Sequence, residues 1–162
     1  MSSFNRRLFL LSGAALAGCG FTPAYGPGGA AAKLQNAVLV DEPDSRPGYL
    51  LTRRFEERLG RAEPGRYALS YSILITENAI AISSNNVITR YNMLGKVTFA
   101  LRDIDTDRVL TSGKADSFTS YSASGTTVAT QAAKRDAEAR LMTILTDMII
   151  TRLTAEAATL PA

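Results

Sequence analysis

Two stretches in the middle of this chain alternate between apolar and polar residues and constrain its fold more than any other feature. The first begins at Tyr67, and the second follows a polar turn at residues 83–86. One face of the second stretch carries the apolar side chains Met93, Val97, Phe99 and Leu101. A period of two is typical of a strand with one buried face. The sequence therefore predicts a long β-hairpin that is apolar on one side.

The pairing of the two strands requires one irregularity. In the first strand the apolar positions change from odd to even numbers between Ile75 and Ile80. If Ile82 faced Val87 across the turn, continuous pairing would set a polar residue on the apolar face of the partner strand. One extra residue in the first strand removes this mismatch, because it exchanges the two faces. We therefore predict a β-bulge near Asn78.

A helix is predicted before the hairpin. Asp44 or Ser45 can cap its start, and Gly60 suits its end. Glu57 and Arg61 are spaced to pair on its outer side. Its buried stripe repeats every four residues and consists of Leu51, Phe55 and Leu59.

Three more elements complete the chain. The apolar run at residues 37–40 predicts a first strand, and residues 108 to about 120 predict a strand after the hairpin. A final helix, capped by Thr126 or Thr127, is predicted to reach about Leu153. Its predicted buried stripe comprises Ala133, Ala137, Leu141, Ile144, Leu145 and Met148. The apolar arc widens in its last turns, so either the domain buries that end or a partner covers it.

The order strand, helix, three strands, helix predicts an α+β fold. We expect a two-layer sandwich in which two helices cover one face of a mostly antiparallel sheet. A single domain is expected over residues 34–162, and the chain shows no internal repeat.

Residues 1–18 are predicted to be an export signal. They have a basic start, an apolar run over residues 8–16 that is too short to span a bilayer, and small residues before Cys19. Ala17 and Gly18 followed by the only cysteine resemble the lipobox of bacterial lipoprotein precursors. The resemblance implies that Cys19 becomes the first residue and carries diacylglycerol and an N-acyl lipid. The alternative is an ordinary apolar helix with a buried cysteine.

A lipidated Cys19 would attach the protein to a membrane durably, because several acyl chains are buried together. The next residue is Gly20 rather than aspartate. By the sorting rule of such lipoproteins, this implies the outer membrane, on its periplasmic side. Residues 19–33 are rich in glycine, proline and alanine, which predicts a lipidated flexible tether.

Composition argues against several classes of function. The chain has no histidine, and its one cysteine is predicted to be acylated, which removes the commonest general base, metal ligand and thiolate. No lysine lies in a Ser-x-x-Lys arrangement, so we expect neither catalysis nor a cofactor beyond the lipid. The aspartate-rich turn at residues 103–107 lacks the glycine and glutamate of a calcium loop. Loss of Arg6 and Arg7 lowers the net charge from +3 to about +1, which argues against nucleic-acid binding.

The chain after the signal resembles the lipopolysaccharide-assembly lipoproteins of the LptE family. The resemblance lies in the opening Cys-Gly-Phe-Thr-Pro-Ala-Tyr-Gly of residues 19–26 and in the order of the elements. Residues 48–51, Gly-Tyr-Leu-Leu, resemble α-proteobacterial members in particular. The resemblance to this family implies a non-enzymatic protein that plugs the outer-membrane β-barrel LptD and helps assemble it. It also implies binding of lipopolysaccharide on its way to the outer leaflet.

Because lipopolysaccharide carries phosphates, its binding surface should offer basic side chains. Arg90, Lys96 and Arg102 share the polar face of the second long strand. The family resemblance makes Arg90 and Lys96 the predicted ligands, with Lys114 as a possible neighbour. The alternative is a solvated face that keeps the sheet soluble. Three tyrosines are expected to belong to the core of the sheet: Tyr67, Tyr71 and Tyr91.

Two other functions remain open. The protein could be an auxiliary lipoprotein of a phospholipid-transport or efflux assembly, which would need an apolar lipid groove. It could also be a structural envelope lipoprotein without a ligand. Only the LptE-type function predicts a stoichiometric β-barrel partner.

Overall fold

A computed structural model describes residue 26 and residues 29–160 of the chain. The predicted export signal and Cys19 lie outside the described residues. The described residues form four strands, two α-helices and two short 3-10 helices. In chain order these are the first 3-10 helix (Ala30–Leu34), β1 (Val38–Val40), α1 (Arg46–Leu59), β2 (Tyr67–Ile82), β3 (Ile88–Asp103), β4 (Val109–Ser122), α2 (Thr127–Glu156) and the second 3-10 helix (Ala157–Thr159).

The strands form one mixed sheet in the order β1-β2-β3-β4. β1 runs parallel to β2, and the other two pairs are antiparallel. Both helices pack on the same face of the sheet, which we call the inner face. The predicted α+β fold and its order of elements are therefore confirmed.

The segment before β1 is packed onto the domain. Ala31 and Leu34 of the first 3-10 helix are fully buried. The Lys33 ammonium donates a hydrogen bond of 2.7 Å to the carbonyl of Leu160, which joins the two ends of the described chain. Packed structure thus begins before residue 34, inside the stretch predicted to be a tether.

Both ends of α1 follow from the sequence. The Ser45 hydroxyl accepts a hydrogen bond of 3.2 Å from the backbone N–H of Gly48, as expected for a capping residue. Gly60 ends the helix at a φ of 80°, and a Cβ there would lie 2.0 Å from Asn36 Oδ1. Only glycine fits at that position.

The predicted pair between Glu57 and Arg61 is wrong. Arg61 instead binds Glu56 through two hydrogen bonds of 3.1 and 2.8 Å, and Glu57 lies 3.3 Å from Arg53. The chain leaves the helix at Gly60, so Arg61 no longer follows the helical spacing that would bring it over Glu57.

Helix α2 starts as predicted, with the Thr126 hydroxyl accepting a hydrogen bond of 3.2 Å from Ala129 N–H. Of its predicted buried stripe, Ala137, Leu141 and Leu145 are fully buried and Ala133 is half-buried, but Ile144 and Met148 are 39% and 45% exposed. The buried residues of the helix follow a row of every fourth residue, with a second such row beside it: Ala137, Leu141, Leu145, Ile149 and Leu153, and Met142, Thr146 and Ile150. Such a row is inclined to the helix axis, so the buried side rotates along the helix and its last turns are largely covered.

Ion pairs connect the two helices. The Arg54 guanidinium donates two hydrogen bonds of 3.2 and 3.0 Å to the Asp147 carboxylate, and Arg58 lies 3.7 Å from the same carboxylate. The hydrogen bonds to Asp147 raise the pKa of Arg54. Arg46 and Glu138 form a further pair at 2.5 Å. Because these groups are partly exposed, each pair contributes about 1 kcal/mol or less.

The β2–β3 hairpin contains the predicted bulge, two residues beyond Asn78. The register shifts between Ala79 and Ala81, which leaves Ile80 without a partner across the hairpin. A second shift follows between Ala81 and Ile82, and there Thr89 of β3 is the residue without a partner. The two irregularities offset each other, so the net register is the same on both sides.

The premise that Ile82 faces Val87 is wrong, because Ile82 pairs with Ile88. Residues 83–87 form the loop, which is closed by a hydrogen bond of 2.8 Å from Ser83 N–H to the Val87 carbonyl. The register needed to bury both apolar faces is present nonetheless, since Ile73 lies opposite Val97.

The predicted apolar face of β3 is buried. Gly95 lies on this face, and a Cβ there would come within 2.9 Å of both Leu141 Cδ2 and Leu145 Cδ1. This glycine therefore allows α2 to lie directly on the sheet. The side chains on either side of it are at most 2% exposed: Met93, Val97, Phe99 and Leu101.

We expect Gly95→Val to destabilise the fold by about 1 to 3 kcal/mol, because the added carbons overpack the contact with Leu141 and Leu145. Urea denaturation followed by circular dichroism measures the change in the free energy of unfolding. Ser72→Val on the opposite face is the matched control and should stay within about 0.5 kcal/mol of the parent protein. Equal stability of the two variants would contradict the close packing at Gly95.

Candidate ligand-binding face

No described element packs on the face of the sheet opposite the helices. We call this face the outer face. The three predicted ligand residues Arg90, Lys96 and Lys114 all lie on it with exposed side chains. Their placement follows from the alternation of β3 and β4, since Lys96 lies between the buried residues Gly95 and Val97.

The structure brings together two of the three predicted ligands. Lys114 lies opposite Thr98, and Thr98 is two residues from Lys96 on β3. Lys96 and Lys114 are therefore diagonal neighbours, with Cβ atoms about 7 to 8 Å apart. Their long side chains can reach the same phosphate. Arg90 is six residues from Lys96 on the same strand, about 20 Å along it and close to the hairpin loop.

These three basic side chains form no ion pair with any carboxylate of the described chain. By contrast, Arg102 on the same face pairs with Asp107 at 3.5 Å, and the arginines of α1 are all paired with acidic residues. Asp116 lies directly opposite Lys96 in the sheet and forms no ion pair within the described chain. The outer face thus offers two neighbouring cations and one carboxylate that can compete for Lys96.

An apolar strip lies beside these lysines, and our sequence reasoning missed it. Leu74 lies opposite Lys96, and in the adjacent row Leu94 lies opposite Phe118. Leu74, Leu94 and Phe118 are 63%, 41% and 64% exposed. Together with Lys96, Asp116 and small or polar neighbours, they line a shallow groove of about 690 Å³. The available signal was that all three are large apolar residues at positions where the alternation calls for polar ones.

Helix α2 partly caps the edge of the sheet next to this groove. Arg152 donates a hydrogen bond of 3.0 Å to the carbonyl of Lys114, and Arg140 donates one of 3.3 Å to the carbonyl of Ser120. Because backbone groups of alternate residues point the same way, even-numbered residues of β4 direct their N–H and C=O groups to this edge. The two arginines thus limit pairing of further strands with β4.

Comparison with models of known families identifies the family of this chain. The LptE model, described as lipopolysaccharide-assembly, matches residues 35–153, which include both helices almost entirely and the whole sheet. The chain belongs to the LptE family. This membership supports a role in lipopolysaccharide assembly. No curated protein sequence matches the chain.

Solved structures share the LptE-type fold at low sequence identity. A protein from Caulobacter crescentus CB15 described as a lipoprotein has a TM-score of 0.66 and 21% identity, over 79% of this chain and 96% of that one. Rare lipoprotein B from Shewanella oneidensis has a TM-score of 0.56 and 11% identity, over 76% and 96%. Lipoprotein B from Nitrosomonas europaea has a TM-score of 0.56 and 12% identity, over 75% and 84%. These likenesses show the fold.

In this LptE family member, the three tyrosines predicted for the core lie on the inner face: Tyr67, Tyr71 and Tyr91. Tyr67 is fully buried, and the Tyr71 hydroxyl lies 3.1 Å from that of Thr52. Tyr91 stacks on Tyr121 with ring centroids 5.3 Å apart. The tyrosines therefore do not form a ligand platform on the outer face.

Tyr121 belongs to a polar cluster beneath α2. Its hydroxyl donates a hydrogen bond of 3.2 Å to Glu77, whose other carboxylate oxygen lies 2.8 Å from the Lys134 ammonium. Burial of the phenol, together with the negative charge of Glu77, raises the pKa of Tyr121 to about 12.

Hydrogen bonds within the aspartate-rich turn at residues 103–107 close it. The Asp103 carboxylate accepts two hydrogen bonds of 2.9 Å from the hydroxyl and the N–H of Thr106, which lower the pKa of Asp103 and close the turn. Within residues 29–160, no three His, Cys, Asp or Glu side chains are grouped so that they could hold a metal ion. Among the described helices, none is long and apolar enough to cross a membrane.

The raised pKa of Tyr121 predicts a loss of stability in alkali. Below its ordinary pKa of 10 the phenol is neutral in the folded and unfolded states alike. As the pH rises from about 10 to about 12, only the unfolded phenol ionises, so unfolding is favoured. Tyr121→Phe should make the decline in the free energy of unfolding across this range shallower, as measured by urea denaturation at several pH values. Glu77→Gln should also make this decline shallower, but to a smaller extent. An unchanged decline in both variants would contradict the raised pKa of Tyr121.

Proposed function

We propose that this protein is an outer-membrane lipoprotein that occupies and helps assemble an LptD-type β-barrel and takes part in moving lipopolysaccharide to the outer leaflet. The observation that carries the proposal is the match to the LptE family over residues 35–153. The described lipoproteins of the same fold agree with an envelope location. In this proposal lipid on Cys19 holds the protein to the periplasmic side of the outer membrane.

The chemistry of the domain supports a function in binding rather than catalysis. The chain has no histidine. None of its lysines lies in a Ser-x-x-Lys arrangement, and the helices are engaged with the sheet and with each other. We therefore propose a non-enzymatic protein that uses no cofactor apart from its lipid.

The outer face supports a phosphate-binding function for two of the three predicted residues. In this proposal Lys96 and Lys114, as diagonal neighbours without ion pairs, bind one phosphate of lipopolysaccharide. Arg90 makes a separate contact nearer the hairpin loop, because about 20 Å separates it from Lys96. Asp116 weakens phosphate binding, since it lies opposite Lys96 and repels an anion.

One observation favours a second candidate function. An auxiliary lipoprotein of a phospholipid-transport or efflux assembly would need an apolar lipid groove, and the strip formed by Leu74, Leu94 and Phe118 is such a groove. The family match favours lipopolysaccharide assembly over this alternative.

A pull-down tests the proposed function. Tagged full-length protein is extracted from outer membranes in mild detergent, and mass spectrometry identifies what binds in stoichiometric amounts. We expect a large LptD-type β-barrel in a one-to-one ratio, because the plug and the barrel form one assembly. Recovery of the lipoprotein alone, or together with an inner-membrane transporter, would contradict the proposal and favour the auxiliary function.

Charge variants test the phosphate contact. Lys96→Glu is expected to weaken binding of purified lipopolysaccharide about tenfold, and Lys114→Glu similarly, since each reverses a charge-assisted contact. Asp116→Asn should strengthen binding a few-fold because it removes the competing carboxylate. Arg102→Gln on the same face is the control and should change little, as Arg102 already pairs with Asp107. Intact binding in both lysine variants would remove this site.

A further inference from the structure

We propose that the groove formed by Leu74, Leu94 and Phe118 binds an acyl chain of lipopolysaccharide while Lys96 and Lys114 hold a phosphate of the same molecule. This inference rests on the proposed function in lipopolysaccharide assembly and assigns a second, apolar part to its ligand site. The outer face would then recognise both chemical halves of an anionic amphiphile.

The first argument is the continuity of the strip across the sheet. Leu94 and Phe118 are direct cross-strand partners, so their Cβ atoms lie about 4.5 to 5.5 Å apart. Leu74 is the diagonal neighbour of Leu94 on the other side, at about 7 to 8 Å. The three side chains therefore form one band that runs across β2, β3 and β4, long enough to contact several methylene groups in a row.

The second argument is the contrast between this band and its surroundings. Single exposed apolar residues are ordinary, but a contiguous exposed group marks a binding surface. Most other uncharged positions of the outer face along these three strands are polar or small: Ala68, Ser70, Ser72, Thr76, Asn78, Asn92, Thr98, Ala100, Ser112 and Ser120. The exceptions lie at the ends of the strands and are Ile82, Ile88 and Val109. Away from the strand ends, the apolar surface is thus confined to the rows next to Lys96.

The third argument is charge complementarity. Lys96 is two residues from Leu94 on the same strand, about 7 Å away, and Lys114 lies diagonally beyond it. Neither lysine pairs with a carboxylate of the described chain, although Asp116 faces Lys96 from the edge strand. An acyl chain joined to a phosphorylated sugar brings an apolar tail and an anion to adjacent positions, as this surface requires.

A photocrosslink in cells tests this assignment. The full-length protein is produced in lipopolysaccharide-making bacteria with p-benzoylphenylalanine in place of Phe118, an exposed position that tolerates a larger aromatic ring. Val128, which is 80% exposed on α2, carries the same probe as the matched control. After irradiation, the captured species is identified by immunoblotting. The ester bonds of the lipid captured on the labelled peptide are then hydrolysed, and mass spectrometry measures the group that remains on the peptide.

We expect lipopolysaccharide to be captured at position 118 at least tenfold more than at position 128, with a hydroxylated fatty acyl group left on the peptide after hydrolysis. Leu94→Ser in the same protein should reduce this capture about fivefold to tenfold, because it removes the centre of the band. Should the variant at 118 fail to accumulate, the probe is moved to Leu94, with the same expectation.

Other outcomes would overturn the inference. These are capture of the sugar–phosphate part alone, of a phospholipid, of the barrel protein or of a second copy of this chain, equal capture at both positions, or no capture. Each is interpreted with the barrel pull-down done on the same cells. If the barrel still co-purifies, the groove assignment fails while the proposed function stands. If the barrel is absent from the parent protein as well, the proposed function itself has failed.

Discussion

Leu141 and Leu145 lie directly over Gly95, and the rest of the architecture depends on this contact. It lets a helix of 30 residues, about 45 Å long, lie along the inner face of β3 and β4. Helix α1 then packs beside α2, where Asp147 binds Arg54 and Arg58. Nearly all of the large apolar core is buried between this helical layer and one side of the sheet.

This one-sided packing divides the molecule into two surfaces with different chemistry. On the helical side, most charged groups are satisfied by each other, as between Arg46 and Glu138 or Lys134 and Glu77. On the outer face, Lys96 and Lys114 pair with no carboxylate of the described residues and border an apolar band. The outer face therefore offers groups complementary to both the anionic head and the apolar tail of a ligand. The same separation would allow a partner to contact the helices while the sheet bound lipid, as proposed.

Much of the fold could be predicted because the signals were local. The alternation from Tyr67, the Ser45 cap and the Gly60 stop each depend on neighbouring residues, so the elements and their order followed. The buried stripe of α2 was harder, because the inclination of the helix on the sheet decides whether Ile144 and Met148 are covered. The bulge was predicted to within two residues, yet its compensation at Thr89 depends on the conformation of the loop. The same holds for the candidate site. The strand pattern predicts on which face of the sheet Lys96 lies, whereas the register of the strands decides which residues lie beside it.

The sequence by itself determined the family, the order of elements and which face of each strand is buried, because these depend on periodicity and on short motifs. Tertiary structure alone decided that Lys114, and not Arg90, is the diagonal neighbour of Lys96. It also decided that Leu74, Leu94 and Phe118 form one band. Such neighbours come from three different strands, separated by up to 44 positions in the chain. Only the hydrogen-bonded register of the sheet brings them together, and that register results from burying Ile73 and Val97 under the same helical layer.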